Sequence, residues 1–240
     1  MLIHQYLKHI MILRKTQKEI IMAKIFMIRI GETFANLEGR ISGYTHLTPN
    51  GIKQAKRVRK RLKLFDINAI YSSNLEPALQ TAKIVSKLFS LPVIECPQFK
   101  TMDLGDWDGM KKVDMKRNYK EKWEEFINNL TEDWKFPGGK ETLKDVQNRA
   151  VKKLNDIVSS HKKNDFICII THGGIVRVIL CFLLNINLSD ALKFHLFNGS
   201  ITSFEYDGKK AIIHTINDIC HLYELEFAPS ITGRPWKTKT

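Results

Sequence analysis

Two short apolar runs, each ending in a glycine-containing polar turn, constrain the fold of this chain more than any other feature. The first is Lys24-Ile25-Phe26-Met27-Ile28-Arg29-Ile30-Gly31-Glu32-Thr33, and the second covers residues 165–171 and runs directly into His172-Gly173-Gly174. Both read as buried strands. Helical spacing lies between them. Thr48-Pro49 pairs a threonine cap with proline in the first turn, and Ile52, Ala55, Val58, Leu62 and Phe65 then recur as one buried face. Residues 69–73 read as a second strand, followed by a helix capped by Asn74 and reaching about Phe89. Residues 91–94 form a short third strand, residues 112–129 one charged helical stretch, and residues 142–160 a long helix with Leu143, Val146, Ala150, Leu154 and Ile157 inward. Residues 175–184 are apolar nearly all round, which predicts a buried helix. Residues 201–206 and 211–216 flank Asp207-Gly208 as a hairpin. Strands alternating with helices predict a three-layer α/β/α sandwich, a mostly parallel sheet with helices on both faces. Ligands of such sheets sit outside the carboxyl ends of the strands, so Arg29-Ile30-Gly31, Ser72-Ser73 and His172-Gly173 should share one rim.

Composition excludes little. The 240 residues, 43% hydrophobic and 26% charged, suit a globular chain with a sizeable core. A net charge of +13 favours anionic partners. Lys53, Lys56, Arg57, Arg59, Lys60, Arg61 and Lys63 crowd one helix, but without interleaved aromatic residues they read as a solvated face. Cys96, Cys168, Cys181 and Cys220 show no metal-ligand spacing, which predicts free thiols, no metal and a cytoplasmic location. Residues 1–23 read as an N-terminal extension, too interrupted by His4, Gln5, Lys8 and His9 for a membrane span. Residues 24–225 form the domain, and residues 226–240 read as a disordered basic tail.

Several motifs agree in order and spacing with one family. Arg29-x-Gly31-Glu32-Thr33 continues into Asn36, Gly39-Arg40, Gly43 and Leu47-Thr48-x-x-Gly51-x-x-Gln54-Ala55. Ser72-Ser73-x-Leu75 leads to Ala78-x-Gln80-Thr81-Ala82, and Gly105-Asp106-Trp107-Asp108-Gly109, Pro137-Gly138-Gly139 and His172-Gly173-Gly174 follow. Together these resemble the histidine phosphatase (phosphoglycerate mutase-like) superfamily, in particular its phosphatase branch and α-ribazole-phosphatase-like proteins. The resemblance implies a phosphohistidine mechanism with a histidine nucleophile, two arginines and a second histidine around the phosphoryl group, and a carboxylic acid for the leaving oxygen. Such chemistry needs a lone pair, fixed positive charge and a proton donor.

Three of those five positions are changed. The nucleophile position holds Ile30, the second arginine position Pro77 and the acid position Thr101. Asp103 is a displaced candidate acid. Arg29 and His172 persist, and Arg29, Gly31, Asn36, Ser42, Gly43, His172 and Gly173 are the expected phosphate or substrate contacts, with His172 the surviving catalytic-type histidine. The leading expectation is therefore a pseudophosphatase that still binds a phosphorylated small molecule and needs no cofactor. The alternative is an active phosphomonoesterase of α-ribazole-phosphate or sugar-phosphate type. A basic module for nucleic acid or an acidic partner ranks last, and the sequence leaves the oligomeric state open.

Overall fold

The computed structural model describes residues 22–41, 44–223 and 225. The expectations for residues 1–21, for Ser42 and Gly43, and for the tail from 226 lie outside the described residues. Six strands form one sheet: β1 (Ala23–Arg29), β2 (Ile67–Ser72), β3 (Val93–Glu95), β4 (Phe166–Thr171), β5 (Ile201–Tyr206) and β6 (Ala211–Asp218). Their spatial order is β3-β2-β4-β1-β5-β6. β3, β2, β4 and β1 run parallel, while β5 and β6 add an antiparallel edge. The fold is thus α/β with a mixed sheet, as the strand–helix alternation predicted.

Alternation along β1 divides the core. Ile25 and Met27 face one apolar cluster, with Ile167 and Ile169 of β4, and Phe26, Ile28 and Ile30 face the other, with Cys168 and Ile170. The second cluster is covered by α2 (Pro49–Leu62) and α3 (Glu76–Ser86), through Val58, Leu62, Ala78, Ala82 and Val85. The first is covered by the long α6 (Leu143–Ser160) and by α7 (Gly173–Leu183). A single turn, α1 (Phe34–Leu37), follows β1, and α4 (Lys112–Asn118) and α5 (Lys120–Asn128) stand in the segment between β3 and α6.

Several local expectations are corrected. On α2 the buried face is Gly51, Gln54, Ala55, Val58 and Leu62, whereas Ile52 is exposed. Gln54 is drawn inward because its Oε1 accepts the Glu32 N–H at 2.8 Å. α3 is capped by Leu75 without a side-chain bond, and Asn74 lies outside the helix. The Ser73 hydroxyl oxygen takes the Leu75 N–H instead, at 3.3 Å. The charged stretch near 112–129 splits at Tyr119 (φ −131°, ψ 46°), which leaves helical geometry and packs edge-on to Trp107. Cys96, Cys168 and Cys181 are buried free thiols, while Cys220 is exposed. Among the described residues no helix is long and apolar enough to cross a membrane.

The turn after β1 is pressed against the first turn of α2. A Cβ on Gly51 would stand 2.0 Å from the Glu32 carbonyl oxygen, and one on Gly31 would stand 2.5 Å from the Gly51 carbonyl oxygen. Neither backbone contact can yield without moving the strand end. Gly51→Ala is expected to destabilise the protein by about 2 kcal/mol or more, measured by urea unfolding. Gly174→Ala, where a Cβ meets nothing within 4 Å, is expected to stay near neutral.

Candidate functional site

The connections after β1 and β4 leave the sheet in opposite directions. After β1 the chain crosses to β2 through α2, over the face that carries Val58 and Leu62, and after β4 it turns into α7 on the other face. A crevice must open where neighbouring parallel strands part in this way. Register sets its contents: Arg29 pairs with Thr171, so Ile30 and His172 emerge side by side. The cavity there, about 160 Å³, is lined by Arg29, Ile30, Thr33, Asn36, Thr101, His172, Gly173 and Arg177 at its polar end. Met102, Leu104, Phe126, Leu130, Trp134 and Phe136 form an apolar wall. No described lining residue is acidic.

His172 is the N-cap residue of α7 but makes no side-chain cap bond. Its Nε2 lies 2.9 Å from the Ser73 hydroxyl, and both residues are buried. Because the Ser73 oxygen already accepts the Leu75 N–H, its proton is free to go to Nε2. This assigns the tautomer with Nδ1 protonated, an assignment from the bonding network. Burial, then Arg29 and then Arg149, push the ring pKa down to about 3, so the imidazole is neutral. Folding therefore excludes a proton that the unfolded ring takes up below its ordinary pKa. The stability tied to this neutral ring is full above about pH 6.5 and is lost as pH falls toward 3.

Arg29 is held by its own Nη1, which donates to the Leu196 carbonyl. Its Nε is buried with no acceptor among the described residues. Burial and, secondly, the charge of Arg177 lower its pKa to about 9. Arg177, on α7, donates from Nε to the Phe194 carbonyl at 2.9 Å, and burial lowers it to about 10. His195, with a buried Nε2 that has no partner among the described residues, is pushed down by burial and by Arg177 and Arg29. Positive charge with little compensation, facing a cavity at a helix N-terminus, is the arrangement an anion neutralises.

The structure brings Arg29, Asn36, His172 and Gly173 to this cavity and also places Ile30 and Thr101 on its wall. Gly31 is corrected. Its N–H is spent on the Thr81 hydroxyl at 3.3 Å, and the Gly51 carbonyl occupies its other side, so it has no donor left for a ligand. Asn36 is committed within the loop: its Oδ1 accepts from the Thr33 N–H at 3.2 Å and from Asn198 Nδ2 at 3.0 Å. Asp103 does not serve as the displaced acid, since the backbone N–H groups of Lys140 and Gly105 donate to its carboxylate and hold it below the usual carboxylate range. Pro77 is buried in the first turn of α3, with its carbonyl accepting from Thr81 at 2.8 Å. Sequence reasoning missed Arg177, Ser73 as a partner of His172, and Asn198, whose Nδ2 also donates to the Ile30 and Gly31 carbonyls at 3.2 Å.

Residues 25–219 match the Histidine phosphatase superfamily (branch 1), and the chain belongs to that family. It is 32% identical over 217 residues to the metal-independent phosphoserine phosphatase of Arabidopsis thaliana, covering 89% of this chain and 88% of the relative. It is 26% identical over 198 residues to the adenosylcobalamin/alpha-ribazole phosphatase of Escherichia coli, covering 81% and 95%. A histidine-to-alanine variant of phosphoserine phosphatase from Entamoeba histolytica, solved in complex with phosphoserine, superposes with a TM-score of 0.74 at 29% identity, covering 84% of this chain and all of that one.

The Ser73 bond and the low pKa generate one expectation. Nitrogen-15 NMR should find His172 as the neutral Nδ1–H tautomer, without titrating across about pH 5–8, where an ordinary histidine changes charge. Ser73→Ala should mix the tautomers.

Proposed function

We propose that this chain binds a phosphate monoester in the cavity between the ends of β1 and β4. Its phosphoryl group lies against the Arg29 guanidinium, the N-terminal amides of α7 and the Nδ1–H of His172. The observation that carries this reading is the buried Arg29 Nε with no acceptor, in a cavity that none of its described lining residues makes acidic. Phosphoric monoester hydrolysis is the activity assigned, because family membership and relatives named as phosphatases support it above the expectation of lost catalysis. The apolar wall suits a small alcohol with an apolar body. Isoleucine has no lone pair, so no phosphoenzyme forms at position 30, and the His172 lone pair at Nε2 is engaged by Ser73. Hydrolysis by this route is attack of a water oxygen on phosphorus, the new P–O bond forming as the ester P–O bond breaks and the water's proton passing to the departing alcohol oxygen, with Arg29 countering charge on the equatorial oxygens.

A second reading, binding without turnover, is favoured by the residues at the three changed positions. Ile30 is only 7% exposed and extends the apolar cluster beneath α2. Pro77 brings no charge, and Thr101 is too weak an acid to protonate an alkoxide.

Phosphate release from p-nitrophenyl phosphate, phosphoserine and α-ribazole phosphate separates the two. Under the first reading wild type releases phosphate, and Arg29→Met lowers kcat/KM by about 10²-fold or more. Binding of orthovanadate without release from any substrate establishes the second. The absence of both binding and release would overturn the proposal itself. Restoring Ile30→His, Pro77→Arg and Thr101→Glu together is expected to raise turnover by several orders of magnitude, since such groups act as a set.

A further inference from the structure

We propose that Arg177 is the second guanidinium of the phosphate site, gripping the same phosphoryl group as Arg29 from the opposite side of Gly173 and replacing the arginine that position 77 lacks. This rests on the phosphate-ester reading above and adds to it a residue that no family motif indicated.

Three observations converge on Arg177. It is the single charged residue of α7, whose sequence is otherwise Gly-Gly-Ile-Val before it and Val-Ile-Leu-Cys-Phe-Leu after it. An apolar helix packed on a sheet has no use for a half-buried cation in its own stability, because desolvating the charge is costly. Gly173 and Arg177 stand four residues apart and so share one helix face, which is the face that lines the cavity.

The second observation is the convergence of the two guanidiniums. The point a Gly173 Cβ would occupy lies 3.3 Å from Arg29 Nε and 3.6 Å from Arg177 Nη1. Both therefore reach the same small volume, which is kept open by the glycine. They come from different sides of the crevice, Arg29 from the end of β1 and Arg177 from the first turns of α7, as two supports for one tetrahedral anion would.

The third is what each guanidinium leaves unused. Arg29 Nε is buried without an acceptor. Arg177 spends Nε on Phe194, and no described residue accepts from its Nη atoms through any bond in the network around the cavity. The described lining residues include no carboxylate to neutralise either group. Each guanidinium also depresses its surroundings, since Arg177 lowers the pKa of Arg29 and of His195. A phosphoryl dianion supplies the missing acceptors and the missing negative charge together.

The test uses the full chain and inorganic phosphate or orthovanadate, with thermal unfolding and calorimetric titration as readouts. Arg177→Met removes the charge while keeping much of the side-chain volume, Arg177→Lys keeps the charge, and Arg61→Met, whose partner is Asp218, is a control outside the cavity. Arg177→Met is expected to be at least as stable as wild type in phosphate-free buffer, because a repulsion with Arg29 is gone. Its affinity for phosphate should fall at least tenfold and its Tm should no longer rise with phosphate. Arg177→Lys should recover part of the affinity, and Arg61→Met should respond as wild type. Wild-type affinity in Arg177→Met would overturn the assignment, as would failure of that variant to fold or the absence of any recovery in Arg177→Lys. If wild type itself binds neither anion, the phosphate-ester reading fails, and the role of Arg177 fails with it.

Discussion

The pairing of β1 with β4 is the constraint on which the site depends. Their parallel register sets Arg29 opposite Thr171, and the next residue of each strand opens the crevice. A slip of one residue would turn Arg29 toward the opposite face and bury a charge among Val58, Leu62 and Ile170. The alternating apolar pattern of β1, divided between two clusters, makes that slip costly. The glycines at 31 and 51 then let the strand end and α2 meet backbone to backbone, which leaves the rim no freedom to drift. Strand order gives direction to the same feature, because the chain leaves β1 and β4 toward different faces.

The charge at this rim is expensive to hold. Arg29, Arg177 and His195 all have their charged forms disfavoured by burial, and Arg29 and Arg177 also repel. Folding tolerates this because main-chain carbonyls at Leu196 and Phe194 take one donor from each guanidinium. Those carbonyls fix orientation without cancelling charge. The neutral His172, anchored through Ser73, adds a donor but no further charge to the same volume. Under the phosphate-ester reading proposed above, a dianion would supply the negative charge that this rim lacks, and Ile30 beside it adds no charge of its own.

Strands and rim were legible in the sequence because buried parallel strands carry short, uniform apolar runs and because glycine marks their ends. Arg29, Ile30, His172 and Gly173 could be placed together from order alone. Arg177 could not, although a lone charge inside an otherwise apolar helix was a visible signal. Its importance lies in proximity to Arg29, 148 positions away along the numbering, and that proximity arises only when β4 pairs with β1. Gly31 shows the converse: its motif is intact, but the donor expected from it is consumed by Thr81, a partner that no local pattern announces. Ile52 and Gln54 exchanged places for a similar reason, since a buried hydrogen bond to Glu32 outweighed hydropathy. The division at Tyr119 reflects packing on Trp107, which helix propensity does not see.

The aromatic cluster around Trp107 also defines how the cavity can be watched. Trp107, Trp123, Trp134, Phe126 and Phe136 contact one another as a ring-on-ring layer, and Trp134 and Phe136 form part of the cavity wall. Three of the four tryptophans in the chain belong to that layer, and of these Trp134 lines the cavity. Trp134 is therefore the indole placed beside an occupant, and its emission gives the cavity a built-in optical reporter.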